Sequence, residues 1–173
     1  MTILYLVRGL PGTGKTTLAE RLAPYTNVCA DDYFYKIGEG GDVRLIETVK
    51  QLRMLPHITR NMATYEFDGT LLPKAHQACL EATKLLLDSN SGSAVCVHNT
   101  FSQRWELEPY IKLASQIPSC SYVSIIDLFD GGSDNLTLSY RNKHQVPVES
   151  IAKMRERWEH DWGAANPVPP WER

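Results

Sequence analysis

The sequence predicts an α/β fold, a mostly parallel sheet of about four to five strands flanked by helices on both faces. Three observations point to it. Short apolar runs rich in Val, Ile, Leu and Tyr alternate along the chain with helical repeats. The first run leads through a glycine-rich turn straight into an amphipathic stretch. Polar clusters stand just beyond three of the runs, at the carboxyl ends where open parallel sheets hold their ligands.

Strand one falls at 2–8, where Ile3-Leu-Tyr-Leu-Val7 is a run of strand formers. Helix one spans 15–24 and is ended by Pro24. Val28-Cys29-Ala30 reads as a brief second strand running into Asp31-Asp32, and Gly38-Glu-Gly-Gly41 as a flexible break. Val43, Ile46, Val49 and Leu52 recur at three-residue steps, so a helix is expected over 42–55, with Pro56 ending or kinking it. Leu71 to Leu87 is a second amphipathic helix, closed by Asp88-Ser-Asn-Ser-Gly92. Ala94-Val-Cys-Val97 is the third strand, and His98-Asn99-Thr100 follows it. A helix over Glu106–Gln116, a strand over Ser121–Leu128, a loop at Asp130-Gly-Gly132 and helices near 134–142 and 149–160 complete the alternation. Residues 163–173 form a proline-rich tail.

At 173 residues the chain supports one well-buried core but not two ordinary domains, and it carries no internal repeat, so a single domain over 1–173 is expected. Apolar content of 43% and charged content of 22% are those of a folded, water-soluble protein. A net charge of −2 gives no overall pull toward polyanions, so binding of nucleic acid would need a local basic patch. Cys29, Cys79, Cys96 and Cys120 form no C-x-x-C pair and read as unpaired thiols of a reducing compartment. Residues 1–8 lack a charged start and a long apolar stretch, and no run reaches the ~18 residues of a membrane span; a cytoplasmic protein without membrane contact is expected.

Residues 9–16, Gly9-Leu-Pro-Gly-Thr-Gly-Lys15-Thr16, fill every fixed position of the phosphate-binding pattern G-x-x-x-x-G-K-[ST]. The strand before it and the helix after it are the context that pattern needs, and the fold class sharpens to a P-loop three-layer sandwich. Gly12 and Gly14 let the backbone turn its N–H groups, with those of Thr13, Lys15, Thr16 and Thr17, toward a polyphosphate such as that of ATP. Lys15 supplies a mobile cation for the terminal phosphates, and Thr16 a hydroxyl for Mg²⁺.

Asp31 and Asp32 fall at the same sheet edge. A carboxylate there either takes a proton from an attacking hydroxyl, holds Mg²⁺, or caps the next segment. The third strand ends in His98 and Asn99 rather than in the acid with which many ATPases and GTPases organise metal and water, which favours transfer to a bound hydroxyl. Asn99 and Thr100 either bond such an acceptor or fix the turn. Arg141, Lys143 and His144 close a helix after a glycine loop. They serve either as lid cations on a migrating phosphoryl group or as partners of the helix dipole. Lys50, Arg53, His57 and Arg60 would align as a basic stripe on one continuous helix, suited to a phosphodiester backbone or simply solvated.

Further blocks bring in a family. Ala30-Asp31-Asp32-Tyr33-Phe34, Tyr65-Glu66-Phe67-Asp68 with Leu72 and Ala75-His76, Asn99-Thr100-Phe101 with Trp105-Glu106 and Pro109-Tyr110, and Arg141–Pro147 with Ile151 and Met154 follow the P-loop in order. With them the chain resembles the P-loop kinases that include phage-type polynucleotide 5′-hydroxyl kinases, most closely the kinase domain of NEDD4-binding-protein-2-like proteins. The resemblance implies Asp31 as general base toward a 5′-hydroxyl, Lys15 and Thr16 as ligands of ATP and Mg²⁺, Arg141 as the lid arginine, and Asp32, Asn99 and Thr100 on the acceptor side. The phage enzymes carry arginines where Ala30 and Phe34 stand, and an acid where Asn99 stands; residues 38–62 read as an insertion. An ATP-dependent kinase acting on a nucleic-acid 5′-end is therefore expected. The alternatives are a kinase of small hydroxyl compounds or nucleotides, and a module that binds ATP without using it.

Overall fold

The computed structural model describes residues 1–55, 59–89 and 93–173. Its centre is β1 (Thr2–Arg8). Two fully parallel neighbours flank it, β6 (Ala94–Asn99) on one side and β7 (Cys120–Asp127) on the other, and β2 (Asn27–Val28) extends the sheet beyond β6. The register pairs Val7 with His98 and Arg8 with both Asn99 and Asp127, so the carboxyl ends of the three long strands finish level. All the phosphate-binding and acidic segments expected from the sequence leave the sheet at this edge.

The two-residue period of β1 and β6 assigns the layers. Leu4, Leu6, Val95 and Val97 face a core built with α2 (Leu45–Leu52), α4 (Leu72–Asp88) and α5 (Arg104–Gln116). Val7 and Cys96 face the other way, onto Ala19 and Ala23 in and beside α1 (Lys15–Leu22). Fully burying Val7 beneath α1 contributes about 1.5–3 kcal/mol against about 1 kcal/mol for a typical cap, and packing rather than capping holds α1. Its N-cap is Gly14, with no side-chain hydrogen bond, which leaves the first amides of the helix for a ligand.

Several boundaries differ from the sequence reading. Pairing of the second strand stops at Val28, because Asp32 Oδ2 accepts from the Cys29 amide at 2.9 Å and winds residues 30–33 into a 3₁₀ turn. The helix expected over 42–55 starts only at Leu45. Val43 and Arg44 form β4, antiparallel to β3 (Tyr35–Ile37), which also pairs with β5 (Thr64–Tyr65). Gly38, Gly40 and Gly41, all at positive φ, make the β3–β4 turn that the sequence reading left as a break. Arg53 in the left-handed region ends α2, and α3 (Thr59–Met62) follows. Pro56 and His57 lie outside the described residues, as do Asn90, Ser91 and Gly92 of the expected helix closure.

Beyond β7, α6 (Asn135–Arg141) and α7 (Val148–Glu156) form a helical pair. Leu138 and Ile151 pack with Leu10 and Trp158 in a small apolar cluster that seats this pair on the P-loop. α7 ends at Glu156, short of the expected 160, because the chain turns in to bury Trp158 under Arg8, whose guanidinium lies 4.2 Å above the ring. Arg8 also donates to the carbonyls of Phe101, Ser102 and Glu159. It ties the C-terminal segment to the sheet. The four cysteines are unpaired, and among the described residues no helix is long and apolar enough to cross a membrane.

Candidate functional site

The P-loop is shaped from within. Gly9 and Leu10 hang from neighbouring segments, their amides donating to Thr100 O at 3.2 Å and Phe129 O at 2.8 Å. The Leu10 carbonyl then gathers the amide and hydroxyl of Thr13 and the Lys15 ammonium, the last at 2.9 Å. Gly12 and Gly14 sit at φ +86 and +88, closed to most side-chain-bearing residues. Gly12 has a second reason to be glycine. A Cβ there would lie 2.3 Å from the Leu138 carbonyl of α6, so the helix that carries Arg141 rests directly on the loop. Gly12→Ala is expected to lower stability by about 1–3 kcal/mol through this overpacking and to weaken nucleotide binding. Urea denaturation alongside calorimetric titration with ATP checks both; an unchanged midpoint would mean that α6 does not rest there.

Lys15 is half-buried, and desolvation pulls its pKa down to about 8 against the opposing charge of Asp31. It stays mainly protonated at neutral pH. Two cavities meet beside it. One, of about 360 Å³, is lined by Gly12, Gly14, Lys15, Thr16, Thr17 and Arg141 among others. The second, of about 590 Å³, is lined by Tyr65, Phe67, Phe101, Val146 and Arg157 and by Asn99 and Thr100. Lys15, Asp31, His98, Asn142 and His144 border both. A phosphate-binding hollow and an aromatic hollow therefore share a wall that carries an ammonium and a carboxylate.

The adjacent acids go separate ways. Asp31 keeps 45% of its side chain exposed, and its carboxylate lies 3.2 Å from Tyr65 Oη and 3.6 Å from His144 Nε2. Asp32, expected on the acceptor side, is fully buried. Its oxygens accept from Arg60 Nε at 2.7 Å and Nη2 at 2.9 Å, as well as from the Cys29 amide. Burial alone would raise its pKa, but Arg60 outweighs that and, with His98 and the Cys29 amide, holds the carboxyl below its ordinary value. Of the roles considered for Asp32, the structure gives it capping and pairing. A carboxyl with a depressed folded pKa stabilises fully above its unfolded value of about 4 and loses that stabilisation as pH falls through the folded value. Buried His98, held neutral, takes up a proton only on unfolding, so denaturation midpoints are expected to begin falling below about pH 6.5 and to fall further below about pH 4, that lower part being shallower in Asp32→Asn.

Asn99 is also turned inward, its Oδ1 accepting from the Ala30 amide at 2.8 Å, which fixes the turn that presents Asp31. Thr100 lines the aromatic cavity. His98 is buried, and burial followed by the charge of Arg60 drives its pKa to about 3, so it is neutral. Arg141 is exposed at the rim of the phosphate cavity, its Nη1 donating to Ser133 Oγ at 3.2 Å. Burial lowers the pKa of His144 despite the pull of Asp31.

The basic stripe does not form. Lys50 pairs with Glu81 and Glu47, Arg53 donates to Leu85 O, and Arg60 is buried in its pairing with Asp32. Tyr65 reaches Asp31 with no role read for it beyond its motif block, while Arg60, read as part of the stripe, and His144, read as a lid cation, stand at Asp32 and Asp31 instead. Their partners are 34, 28 and 113 positions away.

The sheet order, the glycine loop and the lysine within it define a P-loop nucleotide-binding domain of kinase-like type. The chain belongs to the AAA domain family, whose profile matches residues 4–127. That span carries the loop, both acids and Asn99, and stops before Arg141. The chain is also similar to NEDD4-binding protein 2 of Homo sapiens, 27% identical over 161 residues, which cover 91% of this chain and 8% of that protein. The chain thus spans about 8% of the length of the curated relative it matches.

Proposed function

We propose that the protein is an ATP-dependent kinase that moves the γ-phosphate onto a hydroxyl acceptor, foremost the 5′-hydroxyl of a nucleic acid. The observation that carries this is the pair of cavities meeting at Lys15 and Asp31. A donor phosphate on the loop amides and an acceptor in the aromatic hollow face each other across that wall. The exposed Thr16 hydroxyl at the start of α1 would hold Mg²⁺, which such kinases use to neutralise the phosphates. Lys15 would leave the Leu10 carbonyl for the terminal phosphate oxygens, and Arg141 would swing from Ser133 to the same group. Asp31 takes the proton of the acceptor hydroxyl as that oxygen bonds to the γ-phosphorus. The bond from phosphorus to the β-phosphate oxygen breaks, and ADP leaves with its electron pair.

The ring of Phe67, 58% exposed, offers a stacking surface for a terminal base, and Arg157 at the cavity lining offers a cation to the following phosphodiester. Similarity to NEDD4-binding protein 2 and the ordered motif blocks support the same choice. A compact hydroxyl compound or nucleotide is the second reading, favoured by the largely apolar lining of the same cavity. Transfer of ³²P from ATP to 5′-hydroxyl DNA, 5′-hydroxyl RNA, nucleosides and sugars distinguishes the two. Asp31→Asn is expected to lower transfer by ~10²- to 10⁴-fold with ATP affinity kept. Unchanged transfer in that variant would remove Asp31 as the base, and ATP binding by the unmodified protein with no transfer to any acceptor would leave only a module that holds ATP.

A further inference from the structure

We infer that His144 is a positioning residue, held on the turn after α6, that together with Tyr65 sets the orientation of the Asp31 carboxylate. The inference rests on the kinase reading above. A half-exposed aspartate ordinarily rotates freely, yet a base must aim one lone pair at the hydroxyl it deprotonates. Here the carboxylate is addressed from two elements that are distant in the chain. Tyr65 of β5 donates to Oδ1 at 3.2 Å, and His144 Nε2 stands 3.6 Å from Oδ2. That second separation is too long for a direct hydrogen bond, so Oδ2 is confined without being capped, and its lone pair stays available to an acceptor.

The imidazole itself is fixed from several sides. Its ring stacks on Tyr65 at 3.9 Å and 22°, and Tyr35 meets it edge-on at 5.6 Å. The His144 amide donates to Asn142 Oδ1 at 2.9 Å, and the Val146 amide reaches the same oxygen at 3.3 Å. Between them Gln145 is held at φ +53, a left-handed conformation that persists only where the surroundings impose it. Three residues upstream on the same turn is Arg141, facing the phosphate cavity. Docking of this turn therefore brings a cation to the donor phosphate and a constraint to the acceptor's base together. Charge neutralisation and base alignment are coupled through one short segment.

A purely adhesive role, the histidine fastening the turn to the small sheet, would change stability and leave the chemical step alone. The test compares His144→Ala, His144→Gln, Asp31→Asn and the Asp31→Asn/His144→Ala double variant. Phosphate transfer from ATP to a 5′-hydroxyl oligoribonucleotide is read beside thermal melting and titration with a fluorescent ADP analogue. His144→Ala is expected to lower kcat ~10- to 100-fold with KM for ATP unchanged, the loss typical of a misaimed catalytic group. His144→Gln should regain part of it, because its amide restores a polar contact at that place. In the Asp31→Asn background the alanine should cost nothing further, as residues acting as a unit do not add.

Full kcat in His144→Ala, or a loss that adds to that of Asp31→Asn, overturns the inference. Absence of transfer by the unmodified protein defeats the kinase reading instead, whereas Asp31→Asn turning over like the unmodified protein removes Asp31 as the base and the inference with it. Should the alanine variant melt early, the glutamine variant carries the comparison. A partial kcat loss in the glutamine variant at full stability, vanishing in the Asp31→Asn background, then supports positioning, and full kcat or a loss in step with stability refutes it.

Discussion

Lys15→Ala is expected to lower phosphate transfer by ~10³-fold or more, about 4 kcal/mol in the barrier, while leaving the melting temperature intact. The two halves of that outcome have separate causes. Lys15 is desolvated enough for its pKa to fall to about 8, so its ammonium contributes little to holding the empty fold together. Its hydrogen-bond partner in that state is the Leu10 carbonyl, which keeps the Thr13 amide and hydroxyl as donors when the lysine is removed. In the proposed transferring complex the same ammonium would stand where negative charge gathers on the migrating group, in a site with little water to screen it. Lys15→Arg is not a safe substitute, since a planar fork is bulkier than a point charge inside a closed loop. Transfer measured under single turnover, beside ATP titration and melting curves, separates the effects. A variant within tenfold of full turnover would remove the phosphate loop from the chemistry.

What the sequence revealed was whatever is local or periodic. The P-loop is contiguous, and its flanking strand and helix are read from residues a few positions away. The parallel sheet follows from alternating runs, and the two faces of β1 and β6 obey the two-residue period that sorts Leu4 and Leu6 from Val7. The small antiparallel sheet was invisible because strands of two or three residues, such as Val43–Arg44 and Thr64–Tyr65, carry no measurable period. Arg8, the anchor of the C-terminal segment, reads only as the polar end of a strand until Trp158 and Glu159 arrive from 150 residues away.

Asp31 and Asp32 show the same limit within two letters. In a 3₁₀ turn successive side chains point about 120° apart, so one carboxylate faces the cavity and its neighbour the interior. Which does which depends on Arg60, and no local rule links position 60 to position 32. Helical spacing aligns Lys50, Arg53, His57 and Arg60 as a stripe, of which His57 lies outside the described residues. The stripe failed because α2 stops at Leu52 and Lys50, Arg53 and Arg60 each found a partner elsewhere.

Arg60→Ala should then be among the most destabilising single changes in the molecule, at about 3–5 kcal/mol against a usual total of about 5–15 kcal/mol. The arginine is 8% exposed and donates to both oxygens of Asp32, to Asn27 Oδ1 at 2.7 Å and, at 3.4 Å, toward His98. Removing it strands a carboxylate at zero exposure with a single amide donor. That cost is mostly the penalty of an unpaired buried charge rather than the worth of the pair. Replacing both partners together, Arg60→Met with Asp32→Leu, is accordingly expected to lose less than the alanine alone. Function should follow, because the turn fixed by Asp32 is the one that presents Asp31, and kcat should fall even at temperatures where the variant stays folded. Equilibrium denaturation in urea of the two single variants and the double one measures the asymmetry. A loss below about 1 kcal/mol for Arg60→Ala, the range of exposed ion pairs, would mean that water reaches this network, leaving the orientation of Asp31 to Tyr65 and His144 alone.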